Sequence, residues 1–77
     1  MLTLLQAEKG KKHTILRIEG DPMICDRLSE MGFCPNEEIE IHRQLLWKGP
    51  LIVSVRGSQV ALRVSEAQCI HIQTTLA

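Results

Sequence analysis

Residues 20–41 constrain this chain most, because they hold its one clear helical period and close it at both ends. Asp21 is a good N-cap: its carboxylate can accept from the first-turn N–H groups, which have no partner inside a helix. Pro22 follows at the first helical position, where its missing N–H costs nothing. Ile24, Leu28 and Met31 recur at i, i+4 and i+7, so the spacing predicts one apolar face. Gly32 comes next, where a left-handed C-cap forms, and Phe33 is placed to fold back as the apolar partner of that cap. Pro35-Asn36 suits the centre of a β-turn, with proline setting φ and asparagine tolerating a positive φ. Beyond it, Ile39 and Ile41 alternate with Glu38, Glu40 and His42, the two-residue period of a strand. The segment reads as a short helix, a marked stop, a tight turn and entry into a strand.

The flanking sequence is strand-like. Residues 1–7 read as a short strand or turn, followed by a polar loop carrying Lys9, Lys11 and Lys12. Three lysines around a glycine are a solvated loop before they are an anion site. Residues 13–19 form the first clear strand, with Leu16 and Ile18 expected on one face and Ile15 and Arg17 on the other. A second strand spans residues 38–45 and is interrupted before Gly49-Pro50. Residues 51–56 resume the pattern, with Leu51, Val53 and Val55 inward. Gly57-Ser58 is placed as a two-residue type II′ link. The return strand covers residues 59–64, with Val60, Leu62 and Val64 inward. Ser65 caps one helical turn, and residues 69–73 close the set with Ile70 and Ile72 inward. Short antiparallel strands with tight links leave exposed edges unless the sheet curls and closes. The expected fold is mainly β: a small SH3-like antiparallel barrel of five to six strands, with one short helix after the first clear strand, in a single domain over residues 1–77.

Composition decides what such a barrel can do. The chain is 44% apolar but only 3% aromatic, with one Trp, one Phe and no Tyr. The core must be aliphatic, and the aromatic groove by which SH3 domains hold polyproline cannot be built. A formal net charge of zero removes the electrostatic footprint of a nucleic-acid binder. No apolar run reaches the ~20 residues that cross a bilayer, and no signal-peptide pattern is present. Three cysteines, odd in number and without tight spacing, argue for free thiols in a reducing compartment, hence a cytoplasmic protein.

Reactive constellations are scarce. Cys25, Cys34, Cys69, His13, His42 and His71 lack the close pairs of structural zinc sites. Cys69 and His71, two apart, are the one pair that could clamp a soft ion, but a half-buried apolar cysteine beside a solvated histidine explains them more simply. No activated nucleophile, phosphate loop or carboxylate pair is visible, so neither an enzyme nor a cofactor is expected. Arg27 reads as a solvated or ion-paired helix residue rather than an arginine finger. Trp47, in the apolar run Leu45-Leu46-Trp47, reads equally as an interface anchor and as a plug for the barrel end.

The run Arg27-Leu28-x-x-Met31-Gly32-Phe33-x-Pro35-x-x-x-Ile39-x-Ile41 resembles the FeoA family of bacterial ferrous iron uptake. Further matches are Gly49-Pro50-Leu51-Ile52-Val53, Val55-Arg56-Gly57, Val60-Ala61-Leu62-Arg63 and Glu66-Ala67-x-x-Ile70-x-Ile72. Two departures stand out: Asn36 where the family usually has glycine, and the absence of a residue between Gly49 and Pro50. The resemblance implies an SH3-like barrel that binds the cytosolic side of FeoB, a membrane Fe(II) transporter with a GTP-binding domain. It places the chain in the cytoplasm, peripheral to the inner membrane only through that partner, with self-association left open. The expected contact residues are Arg27, Met31, Phe33, Leu46 and Trp47. The alternative is a metal- or redox-sensing module related to the tail domain of iron-dependent repressors; such tails follow a helix-turn-helix domain, which this sequence lacks.

Overall fold

The computed structural model describes residues 2–45 and 49–74. Among these, six strands make one antiparallel sheet: β1 (Leu2–Thr3), β2 (Lys12–Ile18), β3 (Glu38–Gln44), β4 (Leu51–Val55), β5 (Ser58–Leu62) and β6 (Ile70–Thr74). Their order is β1-β6-β2-β3-β4-β5, so the first and last strands lie side by side. Helix α1 (Pro22–Glu30) joins β2 to β3, and a single turn, α2 (Val64–Ala67), joins β5 to β6. The expected β-rich architecture and the position of its helix both hold. The N-terminal segment adds a 3-10 turn at Leu4–Gln6, which sinks Leu4 into the core.

One cluster of aliphatic side chains fills the interior. It draws Ile15 from β2, Ile39 and Ile41 from β3, Leu51, Val53 and Val55 from β4, Leu62 from β5 and Ile70 and Ile72 from β6. Leu28 and Phe33 close it from the helix side. Val60 and Val64, expected inward, pack against this cluster while partly buried.

Two bulges correct the simple alternation. In β2, Ile15 pairs with Ile72, Arg17 with His71 and Ile18 with Ile70, so Leu16 is an extra residue against its partner strand. Leu16 and Ile18 therefore do not share a face: Leu16 is exposed, whereas Ile15 is buried and Ile18 packs against the core. Strict alternation would have buried only one of Ile15 and Ile18, and the bulge lets both reach Ile70 and Ile72. A second bulge lies between Ile41 and Arg43, leaving His42 on the outside and ending β3 at Gln44 rather than at residue 45.

The hairpin joining β4 and β5 is phased one residue earlier than its glycine indicates. Val55 and Ser58 are the last paired residues, so the link is Arg56-Gly57, not Gly57-Ser58. Arg56 lies at φ 52 and Gly57 at φ 80, both positive, as a type I′ turn requires and a type II′ turn does not. The strands consequently end at Val55 and begin at Ser58. Likewise α2 starts at Val64 with Arg63 as its N-cap, so Ser65 is inside the turn rather than capping it. The Glu66 carboxylate fixes this start by accepting from the Arg63 N–H at 2.9 Å.

Candidate functional site

Helix α1 is built by its own sequence. The Asp21 carboxylate accepts from the Met23 N–H at 2.9 Å, and Pro22 occupies the first turn. At the other end, the Phe33 N–H donates to the Leu28 carbonyl at 3.0 Å and the Gly32 N–H to the Ser29 carbonyl at 3.1 Å. That pair of bonds, with Gly32 at φ 99, is a Schellman cap. The cap drives Phe33 back under the helix, where it is 0% exposed beside Leu28. The chain then turns at Pro35-Asn36. Asn36 sits at φ 75, and the Glu37 N–H donates to the Cys34 carbonyl at 3.1 Å. A proline followed by a left-handed residue makes this a type II turn.

With Leu28 and Ile24 directed at the core, the flank of α1 beside them faces solvent, and it carries Met31, which the spacing had placed with the apolar face. Met23, Arg27 and Met31 recur at i, i+4 and i+8 along it. Met23 is 82% exposed and Met31 37%. Arg27 is not adrift between them. Its guanidinium pairs with the carboxylate of Glu66, a buried residue on α2, while more than half of the arginine side chain stays open to solvent. A cation near the last turn of α1 also complements the helix dipole. The result is a held positive charge flanked by two flexible apolar side chains, a combination suited to contacting a protein surface.

Beyond the cap, the Arg56 side chain lies against Gly32: a Cβ added there would stand 3.1 Å from Arg56 Cδ. The same hairpin turn borders a cleft of about 440 Å³ that reaches to Asn36. Ile39 and Val55 line it together with Lys12, Arg56 and the acidic residues Glu37, Glu38 and Glu40. Asn36 and Arg56, the two non-glycine residues with positive φ among the described residues, thus both border this cleft.

Of the residues expected to contact a partner, Arg27 and Met31 lie on the exposed stripe. Phe33, expected among them, is wholly buried beside Leu28 and so offers no surface for contact. Leu46 and Trp47 lie outside the described residues. Sequence reasoning missed Met23, whose signal was an apolar residue one turn before Arg27 on the polar side of the helix. It also missed Glu66, whose link to Arg27 joins residues far apart in the chain.

The candidate metal ligands disperse. His13 is a core residue whose ring Nε2 donates to the Glu8 carbonyl at 3.0 Å. His42 pairs with Ser54, and His71 Nε2 lies 3.9 Å from a Glu19 carboxylate oxygen. Cys69 is buried just before β6, its thiol 3.6 Å from the Ser65 carbonyl. Among the described residues, no three His, Cys, Asp or Glu side chains are grouped to hold a metal ion. The Cys25 thiol is held above its ordinary pKa by partial burial, then by the adjoining Cys69 thiol and the Asp26 and Asp21 carboxylates.

Comparison with known proteins supplies the family. The FeoA domain matches residues 2–74. This chain belongs to the FeoA family. No curated protein sequence matches it significantly. Among solved structures, FeoA of Stenotrophomonas maltophilia, solved with zinc and described as an SH3-domain protein, is 27% identical. The match covers 95% of this chain and 91% of that one, with a TM-score of 0.82. A FeoA-like protein of Clostridium acetobutylicum is 25% identical over 99% of this chain and 88% of that one, with a TM-score of 0.89. The six-stranded sheet is thus the SH3-like fold of FeoA proteins. A manganese-dependent transcriptional repressor matches at 20% identity over 96% of this chain but 41% of its own, with a TM-score of 0.85. At that identity the likeness shows the fold alone.

Proposed function

We propose that this chain is a cytoplasmic accessory protein of ferrous iron uptake that docks on the cytosolic part of an FeoB-type membrane Fe(II) transporter. The observation that carries the reading is the FeoA-domain match across residues 2–74. The S. maltophilia relative is described as a candidate ferrous iron transport activating factor, and it shares most of its length with this chain. No helix among the described residues is long and apolar enough to cross a membrane; in this reading the transporter supplies the membrane attachment.

The docking face is the outer stripe of α1, with Met23, Arg27 and Met31 making contact and Phe33 supporting them from below. Flexible methionines adapt to a partner's relief, while the arginine, held by Glu66, fixes orientation. The action proposed is binding: a held cation between two flexible apolar side chains suits contact with a protein surface. The test titrates the protein against the isolated cytosolic domain of the FeoB-type transporter. Met23→Ala and Arg27→Ala should each weaken binding about tenfold, or ~1.4 kcal/mol, and lower iron uptake in cells while the fold stays intact. Unchanged binding and unchanged uptake in both variants would overturn the assignment of this face.

A further inference from the structure

Strand β5 (Ser58–Leu62) ends the sheet on one side, and its phase decides which of its backbone groups are used. Val55 and Ser58 flank the Arg56-Gly57 turn, so they exchange both of their backbone hydrogen bonds. Bonding alternates from there. Ser58, Val60 and Leu62 direct their N–H and C=O groups at β4, whereas Gln59 and Ala61 direct theirs away from it. Among the described residues, no strand pairs with β5 on that outer side. Gln59 and Ala61 are both exposed. The free edge stops soon after them, because the Arg63 N–H donates to the Glu66 carboxylate and the Arg63 carbonyl accepts from the Glu66 and Ala67 N–H groups. The N–H and C=O groups of Gln59 and Ala61 are therefore left open in one short row.

Charge narrows what can pair there. Residues 51–63 hold Arg56 and Arg63 but no Asp or Glu. Both arginines are exposed, and they bracket β5, one in the turn before it and one directly after it. The strand itself carries none of the charged residues or prolines that usually guard an edge. A second copy of β5, laid antiparallel about Val60, would match the open backbone groups. It would also set Arg63 of each copy opposite Gly57 of the other, next to Arg56, so like charges would meet at both ends. We propose that the free edge of β5 accepts an extended acidic segment of a partner protein as an added strand. Main-chain bonds to Gln59 and Ala61 hold the segment, and carboxylates towards its two ends meet Arg56 and Arg63, fixing which sequences are taken. This surface is separate from the Met23, Arg27 and Met31 stripe, and the inference does not rest on the transporter reading.

The test titrates the full chain with two end-capped synthetic peptides, Glu-Thr-Val-Thr-Val-Thr-Glu and the same sequence with lysine at both ends. Binding is followed by amide NMR and hydrogen exchange. At low salt the acidic peptide should bind about tenfold more tightly than the basic one. It should slow exchange at the Gln59 and Ala61 amides and leave the Ser58 and Val60 amides, already bonded to β4, little changed. Ala61→Pro removes an outward N–H while sparing the ladder to β4, and should weaken the acidic peptide about tenfold. Arg56→Gln combined with Arg63→Gln should erase the preference between the two peptides. Circular dichroism checks that the variants fold, and the exchange pattern of the unaltered chain needs no variant. No binding, equal binding of both peptides, or exchange slowed on α1 instead of β5 would overturn the proposal. So would a dimer, seen by sedimentation, that protects Gln59 and Ala61 without any peptide. None of these readouts requires the transporter, so they stand or fall apart from the docking face.

Discussion

Replacing Gly32 with alanine separates the two demands that the end of α1 makes on one residue. Gly32 sits at φ 99, outside the wells that an L side chain favours. A left-handed conformation costs a non-glycine residue about 1–2 kcal/mol. The added Cβ would also stand 3.1 Å from Arg56 Cδ, tighter than ordinary contact, so that arginine must give way. Arg56 is exposed and its side chain flexible, so this second cost is the smaller. Each kcal/mol moves Tm by about 4–8 °C in a domain of this size. Gly32→Ala should therefore lower Tm by on the order of 10 °C in a far-UV circular dichroism melt. A cycle with Arg56→Ala apportions the loss. The double variant should recover only a minor part of the Tm, because the backbone cost remains. Full recovery would mean that side-chain crowding, and not φ, sets the requirement for glycine. A single variant that melts within experimental error of the parent would refute the cap argument altogether.

Other perturbations follow from the same geometry. Phe33→Ala should cost about 3–5 kcal/mol by opening a cavity beneath α1, seen as loss of the cooperative urea transition, whereas Phe33→Leu should retain one. Arg27→Ala should cost roughly 1–3 kcal/mol, because it leaves one oxygen of the buried Glu66 carboxylate without its partner. Glu66→Ala should cost a similar amount because it strands the Arg63 N–H on the start of α2; paired urea titrations measure both. Asp21→Ala should remove about 1 kcal/mol of capping, read as faster hydrogen exchange in the first turn of α1. Cys25 should be alkylated with a pH midpoint above that of the same thiol in the unfolded chain. Because the unfolded thiol gives up its proton first, the fold loses stability as pH rises from the unfolded pKa of Cys25 through its raised folded value. Cys69→Ala should bring the alkylation midpoint down only in part, since burial is the larger cause.

What the sequence made legible was local. Asp21, Pro22, Gly32, Phe33, Pro35 and Asn36 each act on neighbours within a few residues, so their roles could be read before any packing was known. Each is found in the role its side chain indicated. The bulges were illegible because Leu16 is as apolar as the residues beside it; only the pairing with β6 shows which of them is surplus. The hairpin phase was misread because Gly57 carries the familiar mark while Arg56, also left-handed, does not. The contact that ties α1 to α2, Arg27 with Glu66, joins distant parts of the chain. No periodicity records such pairs, and burial of His13 was hidden for the same reason.

The pairing of β1 with β6 has a practical consequence. Because Leu2 lies opposite Ile72 and Thr3 opposite His71, the first and last described strands run side by side. A short flexible tether could splice them, and a fresh opening cut between Arg56 and Gly57 would yield a rearranged chain with the same interior. The same layout suits a plug-in cassette, carried on a host polypeptide by a single stem.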